Sequence, residues 1–342
     1  LHDALPICAS VTNAHGNTGT GERDININAE LPGLRVNTIS GDDVINAIEQ
    51  QQDLAVTGSS THLAEGTQIT VTINNVEYVT TVNASGNWQI GVPAADLQAW
   101  TAGGMTVSVS AEDAWGNTVA AEHPIELDLN AVAVTIDTVT TDDMLNAAEK
   151  GADVTLSGQT QGVEAGQTVV VKFADQTFTA QVQQDGSWRL TVPASAMETL
   201  IDGRAQVSVS VTNVNGNSAD ASRVVIVDTQ PPAITLDNLT DDNIINAAEA
   251  QQDLMLSGST TAEVGQTVTV TLNGKSYQTT VQADGRWQLN VPAADVSALS
   301  DGNVTVTATV SDVAGNSSSA DRVGLVDATV PQVTIKIGRA HV

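Results

Sequence analysis

Three stretches of this chain concentrate acidic and amide side chains at one spacing: DDVINAIE at residues 42–49, DDMLNAAE at 142–149 and DNIINAAE at 242–249. Carboxylates set this close repel one another unless water or a cation neutralises them. A hard cation that gathers oxygens at roughly 2.3–2.6 Å does so directly. Calcium suits the set, because it takes about six to eight oxygen ligands in irregular geometry, carbonyls and a bidentate Glu among them. Zinc would ask for His or Cys. The competing reading is purely structural: an Asp-Asp turn followed by a capped helical turn, whose side chains satisfy free backbone amides. Three copies in one phase favour the cation, and a cap that also binds metal stays open.

What has to position these residues is a repeat of about 100 residues. Trp88, Trp188 and Trp287 recur in GNWQIGVPAADL, GSWRLTVPASAM and GRWQLNVPAADV, at intervals of 100 and 99 residues. Gly116, Gly216 and Gly315 keep the same intervals, and Gly16 opens that series. Repeats are expected at 29–128, 129–228 and 229–327, preceded by the C-terminal end of another at 8–28 and followed by the start of a further one at 328–336.

Each repeat reads as strands. Residues 268–272 alternate apolar and polar, and Asn273-Gly274 supply the positive φ angles of a two-residue type I′ hairpin. A second turn is expected at Asp284-Gly285, after which Trp287, Leu289 and Val291 face one side until Pro292 ends the strand. About seven such strands per repeat imply an all-β chain of tandem immunoglobulin-like β-sandwiches. Linkers of a few residues make neighbouring domains touch, as an elongated rod.

In the usual antiparallel order the acidic motif follows the first strand, at the base of its domain, while the D-x-x-G-N loop sits at the top. The expected ligands of one junction are then Asp142, Asp143, Asn146 and Glu149, with linker Asp228 and with Asp312 and Asn316 of the following domain. The preceding junction would use Asp42, Asp43, Asn46, Glu49, Asp128 and Asn213. Asp242, Asn243, Asn246 and Glu249 would coordinate an ion only in part.

Composition narrows the function classes. At 342 residues the chain exceeds one sandwich core and suits two to four domains. Twelve Lys and Arg stand against 40 Asp and Glu, a net charge of −28, which makes nucleic acid a poor partner. Cys8 is the only cysteine, so no intramolecular disulfide forms. No run of about 18 apolar residues is present to insert in a membrane. No secretory signal is visible, as expected of an internal fragment. Residues 1–7 (LHDALPI) and 337–342 (IGRAHV) break the pattern and are read as non-native scars.

Trp88, Trp188 and Trp287 are in phase with the apolar positions that follow and are expected in the cores. Trp100, Trp115 and His62 belong to the first repeat alone. Exposed, the two Trp would favour a rival function, a module that binds glycan or host protein through its loops. Paired carboxylates serve glycoside hydrolysis in other proteins, but a threefold array of the same acids fits architecture better than catalysis. His2, His15, His62, His123 and His341 share no repeated phase, and no P-loop, nucleophile elbow or zinc motif is present.

The acidic motif, the G-x-W-x-x-x-V-P-A strand, the D-x-x-G-N hairpin and the VDTQPP linker together resemble the bacterial Ig-like tandem repeats of giant adhesins secreted by type I systems, such as SiiE-like and RTX or LapA-like biofilm adhesins. The resemblance covers about residues 9–335. It implies calcium at acidic residues between repeats, stiffening a non-enzymatic extracellular stalk on the bacterial surface that supports cell adhesion or biofilm formation. The implied partners are neighbouring repeats of the same chain and, through other parts of the full-length adhesin, a host-cell glycan or protein. Three positions depart from the pattern: Asn28 replaces the usual linker Asp, LDLNAVA lacks a proline, and Asn213 stands where Asp113 and Asp312 stand elsewhere. Weaker or missing ions are expected there.

Overall fold

The computed structural model describes residues 5–25 and 30–335. Asn28, the expected domain start at 29, residues 1–4 and the segment 337–342 lie outside them. The chain divides into two compact units. One holds the residues up to Ala133 with Thr160–Gln167 and Val211–Ala219; the other holds Val134–Gln159, Thr168–Ser210 and the residues from Asp220 onward.

The first unit opens with a hairpin of β1 (Leu5–Thr12) and β2 (Thr18–Ile25), paired antiparallel from Leu5 opposite Ile25 to Thr12 opposite Thr18. Residues 5–7, expected to be part of a scar, therefore pair as strand with 23–25. The first repeat follows as β3 (Gly33–Val36), β4 (Val44–Asn46), β5 (Leu54–Thr61), β6 (Gln68–Ile73), β7 (Val76–Thr81), β8 (Asn87–Val92), β9 (Gly103–Glu112) and β10 (Thr118–Asp128). These strands make a three-stranded sheet, β3-β5-β8, and a five-stranded sheet, β4-β10-β9-β6-β7.

Successive side chains of a strand point to opposite faces. Ile69, Val71 and Ile73 of β6, Val107 and Val109 of β9, Val56 of β5 and Trp88 with Val92 of β8 thus all turn into one core between the sheets. The intervening Thr and Ser face outward. Trp88 needs a gap in the neighbouring strand, and Gly58, directly opposite in register, supplies it. A Cβ at Gly58 would lie 2.2 Å from Trp88 Cζ2 and 2.1 Å from the Arg35 carbonyl oxygen. The Gly158–Trp188 and Gly258–Trp287 pairs repeat the arrangement.

The same plan recurs in the other repeats. The five-stranded order is Met144–Leu145, Ser218–Val227, Gly203–Thr212, Thr168–Phe173, Gln176–Gln181 in the middle repeat, and Ile244–Asn246, Ser317–Asp327, Gly302–Ser311, Thr267–Leu272, Lys275–Thr280 in the third. The hairpin expected at Asn273-Gly274 is present with φ of 49° and 75°, and Asn74-Asn75 and Ala174-Asp175 turn in the same way. The all-β, immunoglobulin-like sandwich class is the observed one.

One feature departs from expectation. The acidic motif is not a single loop after the first strand, because β4 occupies its middle and runs parallel to β10, with Val44 opposite Glu126 and Asn46 opposite Asp128. The chain leaves the three-stranded sheet after β3, turns through Ser40 and Asp43 at positive φ (53° and 67°), and joins the other sheet.

Candidate functional site

The site grows from two local motifs. At the far end of each long hairpin, the first residue of a five-residue turn bends its Oδ1 back onto the N–H four residues on. Asn13, Asp113, Asn213 and Asp312 accept in this way from Asn17, Asn117, Asn217 and Asn316, at 3.1, 2.8, 2.9 and 2.8 Å. At the base of each repeat, Asn46 accepts from the N–H groups of Ile48 (2.9 Å) and Glu49 (3.0 Å), while Glu49 Oε2 accepts from the Asn46 N–H (3.0 Å). Asn146 with Glu149, and Asn246 with Glu249, repeat this reciprocal cap. The structural reading of the motif is thus realised by its second half.

A cap of this kind leaves the next N–H, that of Ala47 or Ala147, without a partner in its own turn. The following tip loop supplies one. Asn217 accepts from Ala47 N–H at Oδ1 (2.9 Å) and donates through Nδ2 to the Asp128 carbonyl oxygen (3.0 Å). Asn316 does the same for Ala147 N–H (2.9 Å) and the Asp228 carbonyl oxygen (2.8 Å). The first junction lies wholly within the first unit and the second wholly within the second. Close approach requires glycine beside the Asn: a Cβ at Gly216 (φ +83°) would come 2.6 Å from Asn46 Nδ2.

Burial marks the same residues. The buried polar or charged side chains among the described residues are Asp113, Asp128, Asn213, Asn217, Asp312, Asn316 and Thr260, all but the last in a tip loop or linker. Asn217 and Asn316 are 4% and 6% exposed, whereas Asn117, at the same place in the first repeat, is only half-buried. Buried polar groups are tolerated when paired, and these are.

The two junctions differ in charge. Asp128 accepts from Asn130 N–H at Oδ1 (2.9 Å) and from Asn215 Nδ2 at Oδ2 (2.6 Å). The Asn215 bond, more than the opposing desolvation, holds its carboxyl below the usual carboxylate range. At the second junction Asp228 Oδ1 accepts from Gln230 N–H (3.1 Å), Ala314 replaces Asn215, and Asp312 replaces Asn213. Asn146 Nδ2 donates there to the Ala314 carbonyl oxygen (3.0 Å), and Asp312 Oδ2 accepts from Asn316 Nδ2 (3.0 Å). Glu149, Asp228 and Asp312 therefore belong to one hydrogen-bonded network with Asn146 and Asn316. The first junction links Glu49, Asp128 and Asn213 with Asn46 and Asn217.

The other expected ligands are not brought to the junctions. Asp42, Asp142 and Asp242 are exposed and accept the N–H two residues on, each at 3.0 Å. Asp43, Asp143 and Asn243 sit at φ of 67°, 63° and 64° and accept from Ile39, Val139 and Leu239 N–H at 2.8, 2.9 and 3.1 Å. Each also ties its loop to the last strand of its own repeat. His123 Nε2 lies 2.7 Å from Asp43 Oδ1, Arg223 donates to Asp143 Oδ2 at 2.9 Å, and Asn243 Nδ2 donates to the Val323 carbonyl oxygen at 2.6 Å. The physical reason is the intervening strand β4 and its counterparts, which set the two halves of the motif at opposite ends of a paired segment. In the third repeat Asn246 stands opposite Asp327 in register.

Among the described residues no three His, Cys, Asp or Glu side chains converge as a ready-made metal site. The chemistry of the junction donors nonetheless fits a hard cation: they are carboxylate and carbonyl oxygens, without thiol or imidazole.

The aromatic residues separate cleanly. Trp88, Trp188 and Trp287 are buried, and Trp188 Nε1 donates to the Thr135 carbonyl oxygen at 3.0 Å. Trp100 is also buried, in the first core, while Trp115 is 57% exposed. His62 Nδ1 lies 3.0 Å from the Leu31 carbonyl oxygen. Sequence reasoning missed Asn217 and Asn215. The signal for Asn217 was present: apart from glycine, the Asn of the four tip loops is their one invariant residue.

Tandem Ig-like sandwiches joined tip to base are the class this geometry defines. Residues 232–330 match the family model described as bacterial Ig-like domain. An ice-binding, Ca2+-stabilised adhesin of an Antarctic bacterium is 33% identical over 94% of this chain and 81% of its own, with a TM-score of 0.45. A 1.5-MDa bacterial ice-binding adhesin retained at the host cell surface is 30% identical over 87% of this chain and 98% of its own, with a TM-score of 0.45. A tetra-tandem repeat from the extending region of a large adhesion protein is 28% identical over 96% and 83%, with a TM-score of 0.36. No curated protein matches. By sequence identity over nearly its whole length, the chain belongs to the bacterial Ig-like repeats of large adhesins. None of its described helices is long and apolar enough to cross a membrane.

Proposed function

We propose that these repeats are spacer modules of a bacterial surface adhesin, docked in series and stiffened by calcium at the junctions into an elongated rod that supports cell adhesion or biofilm formation. On this reading the sandwiches divide at 29–128, 129–228 and 229–327, and the array stands outside the cell after type I secretion. The carrying observation is the repetition of one relay, in which a tip-loop Asn holds both a capped turn and the linker carbonyl of the preceding repeat. A contact that grips turn and linker together restricts rotation about a linker that would otherwise leave domain motion as the default. Trp115 occupies the place of Asn215 and Ala314, both of which bond the preceding repeat, so it is read as a junction residue and not as a sugar platform.

Calcium finds support in the donor chemistry and in the Ca2+-stabilised relative. Glu149, Asp228 and Asp312 would hold it at the second junction, and Glu49 and Asp128 at the first. A bound ion would cancel repulsion among these acids and join turn, linker and tip. The second junction is expected to bind more tightly, because Asn215 already engages the Asp128 carboxylate at the first. Calorimetric titration of the chain with calcium, paired with X-ray scattering in calcium and in chelator, tests the reading. Heat that is reduced in Asp228→Asn and a longer envelope in calcium are expected. Superimposable scattering curves and no binding heat would remove calcium from the proposal. Protease shaving of intact cells tests the surface location.

A further inference from the structure

The middle repeat carries an open cleft of about 690 Å³ between the hairpin of Thr168–Phe173 with Gln176–Gln181 and the segment running from Thr199 to Ser208. Strand alternation decides what faces it. Val171, Phe173 and Val207 turn into the core, so Lys172, Arg204 and Gln206 turn outward into the cleft. Thr177 adds a hydroxyl and Ile201, 84% exposed, an apolar rim. Asp175, at the hairpin turn, is the acid at the edge. Among the described residues neither Lys172 nor Arg204 forms an ion pair.

The sibling repeats show that the fold does not require these residues. Thr72 and Thr271 stand where Lys172 does, Gly104 and Asn303 where Arg204 does, and Thr101 and Ser300 where Ile201 does. The siblings also carry an acid by the same hairpin, on its core-facing side. Tyr78 donates to Asp96 at 2.9 Å and Tyr277 to Asp295 at 2.7 Å, and Lys275, at the position of cleft-lining Gln176, pairs with Asp295. In the middle repeat this pair has become Phe178 and Ala196. Against its siblings the cleft lining gains two cations, Lys172 and Arg204, and one acid, Asp175 in place of Asn75 and Gly274, while Gln176 replaces Lys275 of the third repeat, in a chain whose net charge is −28.

We propose that this cleft binds an anionic oligosaccharide, with the carboxylate of an acidic sugar seated between Lys172 and Arg204. A guanidinium presents a planar fork that matches a carboxylate, and the ammonium adds a mobile point charge. Gln206 and Thr177 offer amide and hydroxyl partners to ring hydroxyls, and Ile201 covers an apolar sugar face, the mixture expected of a small-ligand cleft. Because the site is open, its charge attraction is screened by salt. The proposal is independent of the spacer reading: a rigid array can carry this site, and a flexible one can too.

The test is a titration of the whole chain at low ionic strength with trigalacturonate and with its neutral methyl ester, followed by backbone amide chemical shifts. Trigalacturonate is expected to shift amides in residues 172–177 and 199–206, less so in added salt, and the ester is not. The double variant Lys172→Thr/Arg204→Asn installs the residues of the third repeat, so its fold is preserved, and it is expected to bind roughly tenfold or more weakly. Absence of shifts with trigalacturonate, equal shifts with the ester, shifts confined to another repeat, or undiminished binding by the variant each overturn the proposal. So does concentration-dependent sedimentation of the chain alone that the variant abolishes, which would assign the cleft to a second copy.

Discussion

Asn316 donates its side-chain amide to the backbone oxygen of Asp228 at 2.8 Å, one repeat away in sequence. A carboxamide is suited to this place because it is donor and acceptor at once: its other end takes the Ala147 N–H. An aspartate there would keep the second bond and lose the first, and a lysine the reverse.

Asn316→Ala should therefore leave a buried carbonyl and a buried N–H unpaired, at a cost of about 1–3 kcal/mol. Asn117→Ala, whose parent side chain is only half-buried and bonds Asp113 of its own loop, should cost less. Urea unfolding followed by Trp fluorescence measures both. Equal losses would mean that the Asn serves its own loop and not the joint.

Acid should loosen the first junction. The Asn215 bond keeps the Asp128 carboxyl below its ordinary value against the opposing effect of desolvation, with Asn130 and Asn217 assisting. A lowered folded-state value contributes stability that is present above the unfolded value of about 3.9 and is lost as pH falls through the folded one. Unfolding free energy is expected to drop more steeply below about pH 4 in the parent than in Asp128→Asn. Parallel acid profiles would refute this.

Alkali addresses the only two tyrosines, Tyr78 and Tyr277. Burial first, then the bond to Asp96 or Asp295, pushes each phenol up to about 12. Their neutral forms contribute stability below the unfolded value of about 10, and that contribution disappears as pH rises through 12. Tyrosinate absorbance should appear late, and Asp96→Ala should bring one of the two transitions earlier.

Gly158→Ala should be among the most damaging small changes. Its Cβ would sit 1.9 Å from the Thr135 carbonyl oxygen and 2.7 Å from Trp188 Nε1, the two ends of an existing hydrogen bond. A loss of about 2 kcal/mol or more is expected from such overpacking. Gly91→Ala, where nothing lies within 4 Å, is the control and should cost under about 0.5 kcal/mol.

The sheets were legible because their signals are local. Alternation through residues 268–272, the Asn273-Gly274 turn and the Trp phase each depend on neighbours a few positions away, and each is observed. The acidic motif was half legible. Asn46 and Glu49 stand three apart, a spacing that serves a helical cap as well as a cation, and the cap is what forms. Asp42 and Asp43 are removed from that end by a strand whose partner, β10, lies some 80 residues later, a pairing no local pattern announces. Asn217 escaped attention because the tip loop was read as D-x-x-G-N, a pattern that the middle loop breaks at Asn213, whereas the closing Asn makes the joint. Trp100 and Trp115 both flank turns, and only three-dimensional packing distinguishes the enclosed one from the open one.

Because every copy carries both a receiving turn and a gripping loop, the coupling is polar, like a hook and an eye on each link of a chain. A gene that duplicates or deletes a whole link leaves the remaining couplings chemically complete, even when the loop residues vary, as Asn213 and Asp312 do. The number of links can then change in evolution without redesigning any fold.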